Sequence, residues 1–450
     1  MKKYFLSLLI VLSAIQNGFG AEDPLVKKTE ETLKRAFDFF HSISINGGYA
    51  GIYTADLSKR YGEALFERAR KNRIWVQPPG TPTVGESFLR AYKITGDKKY
   101  LAAAVDAARA LVWGQRKIGG WDHLVNVKHL QEDPDKPVRK KGRCAFDDNI
   151  TQGALTFLMT LDKTVNEEWL TEAIDLGLRF MMESQFENGA WSQYYPLIGG
   201  YHNYYTFNDN AINDCIRVML MAHQLYGRDE YLSSAMRGGD FIIQSQLPAP
   251  QSGWAQQYSY DLKPAWARRF EPPGICSFAT GRNIKTLVDL YLYTKSDKYL
   301  NPIPDAINWL ESSMIGNDLW ARLYEEGSNK PIYGDRLNGN KIFYNYMSIS
   351  ETERKSYGWQ GSFGIKGFIS YYNKNKPGGN INNAESITPL TSEKRKNRLT
   401  EITPDIEKII ASMDDKGRWV DEDGMIYSKV FVRNVNLLCY YLELSYPKSS

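Results

Sequence analysis

An all-α fold, an α/α toroid built as an incomplete α/α barrel of repeated helical hairpins, is predicted by three features of the sequence. A bulky residue followed by Leu recurs at Tyr100-Leu101, Trp169-Leu170, Tyr231-Leu232 and Tyr299-Leu300, at intervals of 69, 62 and 68 residues. A tryptophan follows each one, at Trp121, Trp191, Trp254 and Trp320, at intervals of 70, 63 and 66. Two independent landmarks that share one period mark an internal repeat. Between them the apolar residues fall at helical spacing, and nothing strand-like interrupts beyond room for short hairpins in the loops. Such hairpins must stack to bury their apolar faces. Five to six units of about 60–70 residues suit a closed or nearly closed ring better than an open stack.

In chain order, the first segment reads as an export signal spanning 1–20. Lys2 and Lys3 give a positive start, Tyr4 to Ile15 an apolar run, and Gly18-Phe19-Gly20 a small-x-small cleavage pattern. The expectation is a mature protein of residues 21–450, one domain, periplasmic or secreted. A partial repeat opens with a helix over Thr29–Phe40 and the loop Gly47-Gly48-Tyr49. The first full unit has helices over Gly85–Thr95 and Tyr100–Gln115, broken by Gly96-Asp97 and ended by Gly119-Gly120-Trp121. The third repeats this over Ile212–Tyr226 and Tyr231–Gln246. Gly417-Arg418-Trp419 and a helix near Val432–Glu443 supply the last partial unit. The Gly-, Asn- and Lys-rich stretch 374–398 reads as a mobile surface insertion.

Composition narrows the function. The chain has 450 residues, 42% hydrophobic and 13% aromatic, with 11 Trp and 29 Tyr, a bias that suits sugar stacking as well as a large core. Removal of Lys2 and Lys3 takes the formal charge from +4 to +2, which favours neither nucleic acid nor membrane. Cys144, Cys215, Cys276 and Cys439 match no metal spacing and read as buried thiols or one incidental disulfide. No apolar helix stands out as an interface, so a monomer is expected.

The chemistry concentrates between Phe207 and Glu271. Phe207-Asn208-Asp209-Asn210-Ala211 opens a helix, and the preceding repeat does the same with Phe146-Asp147-Asp148-Asn149-Ile150. Asp and Asn there are ordinary N-caps taken singly. Carboxylate and amide oxygens from two neighbouring helix starts also suit Ca²⁺, which takes six to eight oxygen ligands. Arg268 and Arg269 lie in a proline-stiffened loop, and Arg322 and Arg336 add further guanidinium groups, each able to bind a carboxylate through two parallel hydrogen bonds. The basic run Arg139-Lys140-Lys141 with Arg143 reads as a solvated face, and because it lies just ahead of the Asp147 turn a second reading, contact with an anionic substrate, stays open.

At these residues the sequence resembles the family 10 polysaccharide lyases, the pectate lyases with an α/α toroid. The resemblance rests on Phe146-Asp147-Asp148-Asn149-Ile150-Thr151, Phe207-Asn208-Asp209-Asn210-Ala211, Gly253-Trp254-Ala255-Gln256-Gln257, Leu262-Lys263-Pro264 with Ala267-Arg268-Arg269-Phe270-Glu271, Leu319-Trp320-Ala321-Arg322, Gly334-Asp335-Arg336 and Tyr357-Gly358-Trp359, in that order. It implies Ca²⁺-assisted β-elimination of polygalacturonate. It makes Asp209 a metal-binding aspartate and Asp147 the other, whereas the internal repeat pairs Asp148 with Asp209, so both remain. It makes Arg268 the catalytic base, Lys263, Arg322 and Arg336 the groups that grip uronate carboxylates, and Trp254, Asn149 and Asn208 further substrate contacts. Crowding by Ca²⁺ and Lys263 is expected to favour neutral Arg268. Two other readings stay open: an inverting glycoside hydrolase on the same ring, with Asp148 and Asp209 as its carboxylates, and a non-catalytic binder of pectic fragments.

Overall fold

The computed structural model describes residues 23–128, 130, 139–379 and 391–446. The expected export signal, residues 1–20, lies outside them. Thirteen helices are present among the described residues: α1 Pro24–Ser42, α2 Thr81–Thr95, α3 Lys98–Gly114, α4 Ile150–Val165, α5 Glu168–Glu183, α6 Ala211–Tyr226, α7 Asp229–Gln244, α8 Ser277–Thr294, α9 Ile303–Ser312, α10 Glu351–Ser356, α11 Ile365–Asn375, α12 Ser392–Ala411 and α13 Ser428–Ser445.

The helices form two concentric layers. The inner run passes from α13 to α2, α4, α6, α8 and α11, each packed on the next, and α3, α5, α7, α9 and α12 lie outside their partners. The first helix, α1, packs on α12 and α13 and so joins the end of the chain to its beginning. The inner run does not close into a barrel: among the described residues no comparable packing joins α11 to α13. The molecule is an α/α toroid with one open seam.

Local chemistry explains the hairpins. Each of four inner helices ends on a residue in the left-handed region: Gly96 (φ 72°), Asn166 (φ 50°), Gly227 (φ 68°) and Lys295 (φ 58°). A left-handed residue past the last turn stops the helix and turns the chain back. Asp97 then caps α3 by accepting from Lys99 N at 3.0 Å. In the fourth unit the helix starts later than Tyr299-Leu300 suggests, because Pro302 blocks the ladder and a short 3₁₀ turn, Asp297–Tyr299, fills the gap.

The repeated tryptophans are clasps. The indole N–H of Trp121 donates to Leu111 O, Trp191 to Met181 O, Trp254 to Ile242 O, Trp320 to Leu310 O and Trp419 to Ile409 O, at 2.6–2.9 Å. Each pins a loop to the last turn of its own outer helix, where carbonyls lack helical partners. A glutamine at the end of the outer helix adds a stitch to the next unit. Gln115 Nε2 donates to Gly119 O and Ala173 O, Gln185 Nε2 to Gly189 O and Ser234 O, and Gln246 Nε2 to Ser252 O and Pro302 O, at 2.7–3.0 Å. Gly119 (φ 117°) and Gly189 (φ 92°) are required here, since a Cβ would lie 2.4 Å from Leu176 O and 2.0 Å from Arg237 O.

Beta structure is confined to the loops that lead into the inner helices. It mostly joins successive loops rather than forming hairpins within one. Cys144–Ala145 pairs with Tyr194–Tyr195, and Tyr205–Thr206 with Gln257–Tyr258. A four-stranded sheet unites Ile275–Cys276, Leu323–Tyr324, Pro331–Asp335 and Gly339–Phe343. The stretch 374–398, expected to be a loop insertion, is partly helical: α11 runs to Asn375 and α12 begins at Ser392, while 380–390 lie outside the described residues. All four cysteines are buried free thiols. No described helix is long and apolar enough to cross a membrane.

Candidate active site

The clasps set the register of the site. The residue two after each of three tryptophans uses its carbonyl to hold the start of the preceding inner helix: Gln193 O accepts from Phe146 N at 2.8 Å, Gln256 O from Phe207 N at 3.0 Å and Arg322 O from Ser277 N at 3.0 Å. Phe146 and Phe207 anchor below in the core. The next residues make matching 3₁₀ turns, Asp147–Asn149 and Asn208–Asn210. In each turn two consecutive residues are left-handed: Asp148 (φ 50°) with Asn149 (φ 56°), and Asp209 (φ 48°) with Asn210 (φ 61°). Asp and Asn tolerate this conformation better than other residues with a Cβ, and paired strain of this kind gathers at functional sites.

The turns bring Asp147, Asp148 and Asp209 together, with one carboxylate oxygen from each within 4.8 Å of the others. The two alternatives for the second aspartate thus meet at one point. By backbone position Asp148 matches Asp209, and Asp147 matches Asn208.

Burial first, then the charges of Asp148 and Asp209, push the Asp147 carboxyl well above its ordinary range. Burial, then Asp209 and Glu63, push Asp148 up to about 6. Burial raises Asp209 too, against the pull of Arg322 and Arg268. Asp147 Oδ1 is buried without a hydrogen-bond partner. Three crowded carboxylates with an orphaned oxygen fit a hard cation that binds oxygen.

A guanidinium wall stands beside the trio. Arg268 donates from Nε to Glu271 Oε2 and from Nη2 to Glu271 Oε1, both at 2.8 Å, and its backbone N donates to the same carboxylate at 2.9 Å. Glu271 is 2% exposed and also accepts from the Tyr357 hydroxyl and from Gln256 Nε2. Arg322 donates from Nε to Gln256 Oε1 at 3.0 Å and from Nη2 to Asn208 Oδ1 at 3.3 Å, and Asn208 donates to Asp209 Oδ2 at 2.5 Å. An unbroken chain of side-chain contacts therefore joins Arg268 to Asp209. Arg322 lies 5.0 Å over the Tyr357 ring, and Arg336 lies 4.6 Å over Phe270.

The remaining candidates stand as follows. Trp254 is fully buried, with its indole N–H spent on Ile242 O, so it holds the loop and offers no face to a sugar. Asn208 uses its amide on Asp209 and Arg322, and Asn149 accepts from Arg217 Nη2 at 3.3 Å. Lys263 stands at an exposed rim, 78% accessible and 3.2 Å from Asp261 Oδ2. Arg336 is 3.8 Å from the buried Glu353 carboxylate. Nor is neutral Arg268 favoured. Burial pulls its guanidinium down, but the Glu271 hydrogen bonds and charge, with Tyr357 and Asp209, hold it above its ordinary value.

Sequence reasoning assigned no role to Gln193, Gln256 or Tyr357, and read Glu271 only as a surface partner of the arginines before it. The usable signal for the glutamines was their fixed place two residues after Trp191 and Trp254.

The toroid carries its acidic turns and its guanidinium wall together. The family profile of the pectic acid lyases matches residues 125–317 and 311–367, so the chain belongs to that family and is a polysaccharide lyase. No curated protein matches it by sequence. Among solved structures, a mutant of a Family 10 polysaccharide lyase from Cellvibrio cellulosa, in complex with trigalacturonic acid, is similar over 65% of this chain and 99% of its own, at 20% identity and a TM-score of 0.50. The Family 10 polysaccharide lyase from the same organism is similar over 64% and 95%, at the same identity and TM-score. At this identity the likeness bears on the fold.

Proposed function

We propose that the protein is a pectate lyase that cleaves polygalacturonate by Ca²⁺-assisted β-elimination. The observation that carries this reading is the meeting of Asp147, Asp148 and Asp209 beside Arg268 and Arg322. Family membership and the relative's trigalacturonic acid support an acidic polysaccharide as substrate.

Asp147, Asp148 and Asp209 would hold the cation, which would supply Lewis-acid withdrawal of charge from a uronate carboxylate and so make the proton on carbon 5 easier to remove. Arg268, once neutral, takes that proton; the bond from carbon 4 to the glycosidic oxygen breaks, a double bond forms between carbons 4 and 5, and the leaving oxygen takes a proton from solvent. Arg322 and Arg336 bind carboxylates along the chain, with Lys263 at the rim. Glu271 favours charged Arg268, so activity rises towards alkaline pH.

The carboxylate spacing speaks against the hydrolase alternative, since an inverting pair stands about 6.5–9.5 Å apart. The same reading takes residues 1–20 as an export signal and 21–450 as one catalytic domain, acting in the periplasm or outside the cell as a monomer. The test is the ultraviolet absorbance of the new double bond on polygalacturonate, with calcium and with a chelator. Reducing ends without that absorbance would point to hydrolysis, and binding without turnover to a non-catalytic protein.

A further inference from the structure

The wall formed by Arg268, Arg322 and Arg336 follows the carboxylate trio in ring order. A second cationic cluster precedes it, in the loop that leads into α4. Asp122 is its centre. The carboxylate accepts from His123 N at 2.9 Å, lies 3.0 Å from His123 Nδ1, accepts from Arg143 Nε at 3.2 Å and stands 3.9 Å from Arg116 Nη2. One negative charge thus serves two guanidinium groups. The backbones of Lys117 and Lys140 are joined alongside, at 3.0 Å. Among the described residues of this group positive charge is in excess, and such an excess attracts anions.

Arg143 is turned to solvent, as are Lys117 and Lys140. The Arg143 side chain is 44% exposed, and its guanidinium lies 4.5 Å over the Tyr194 ring. His202 meets Tyr194 at 5.2 Å, edge to face. Tyr194 ties the cluster to the trio through the backbone: it pairs with Ala145, and its neighbour Gln193 accepts from Phe146 N at 2.8 Å and from Asp147 N at 3.3 Å. A stacked guanidinium is pre-oriented and presents its remaining N–H groups as a flat fork that matches a carboxylate.

We propose that Arg143, braced on Tyr194, is an outlying subsite for the carboxylate of a uronic acid residue, on the side of the aspartate trio away from Arg268. This deepens the polygalacturonate reading and rests on it for the choice of ligand. A uronate chain crossing the trio then meets guanidinium groups before and after the cleavage point.

The test uses native gels cast with polygalacturonate and a chelator, so that neither turnover nor calcium contributes, with polymer-free gels and neutral galactan gels as references. The wild-type chain is expected to be retarded by polygalacturonate alone. Arg143→Ala is expected to weaken this retardation about tenfold, the loss of one charge-assisted contact, and Arg143→Lys to restore part of it. With calcium, Arg143→Ala is expected to raise the KM for polygalacturonate by a similar factor while kcat stays within about twofold. An unretarded wild type, or a variant retarded like the wild type, overturns the subsite. Retardation lost in Arg143→Ala from a chain that yields no unsaturated product keeps the subsite and overturns the lyase reading instead.

Discussion

Arg268 and Glu271 meet through two parallel side-chain hydrogen bonds of 2.8 Å, with the Glu271 carboxylate buried beneath them. The arrangement orients the guanidinium and also stabilises its charge. In Glu271→Gln the negative partner is gone, so neutral Arg268 appears at lower pH. The rising limb of the pH–rate profile should move to the acid side, while the plateau kcat falls about tenfold because the two-point grip is lost. A limb that stays in place would show that Arg268 does not set it.

Crowded carboxylates make the cation site visible without turnover. Asp148 has a carboxyl raised from 3.8 to about 6, so in the absence of cation its ionisation opposes folding, fully above pH 6 and progressively less as pH falls towards 4. Asp148→Asn should therefore melt above the wild type in chelator at pH 8, with the gap closing on acidification. Calcium should raise the wild-type melting temperature by about 5 °C at saturating concentration and the variant's by less. Scanning calorimetry at two pH values, with calcium and with chelator, reads both effects.

Trp254 separates a clasp from a sugar platform. Trp254→Phe removes the bond to Ile242 O and leaves a small void, at a cost of about 2–4 kcal/mol. Denaturant unfolding should show that loss while the KM for polygalacturonate holds. A large rise in KM with unchanged stability would restore Trp254 as a substrate contact.

The thiols give a simple check on the core. All four cysteines are buried and unpaired, and burial pushes the Cys144 and Cys439 thiols up to about 12. A thiol reagent should titrate none in the native protein and four after denaturation, with or without prior reductant. Fewer than four in the unreduced, denatured chain would reveal a disulfide.

The ring itself was legible because a hairpin repeat writes its period into bulky residues that must be buried, and Tyr100, Trp121 and their successors do so without gaps. The aspartate turns were legible for a related reason: two repeats carry nearly the same four residues. The roles inside the site were harder to read. A tryptophan looks the same in sequence whether its ring faces a sugar or a helix end, and Trp254 faces a helix end. An Arg three residues before a Glu reads equally as a surface pair or a buried grip, and only the depth of Glu271 decides. Asn208 showed its amide but not that both ends were already engaged. Most of the short strands stayed hidden because two-residue pairings between successive loops leave no alternating pattern.

The clasps also bear on how such a scaffold changes over time. The rim loops are fastened at their entry by an indole, joined in three of them by a glutamine, and at their exit by the backbone of the following hairpin. None of these fastenings depends on the side chains presented in between. Segments of the rim can therefore be exchanged between hairpins, or lengthened, without disturbing the ring beneath, so new specificities can arise on one scaffold through local substitution alone.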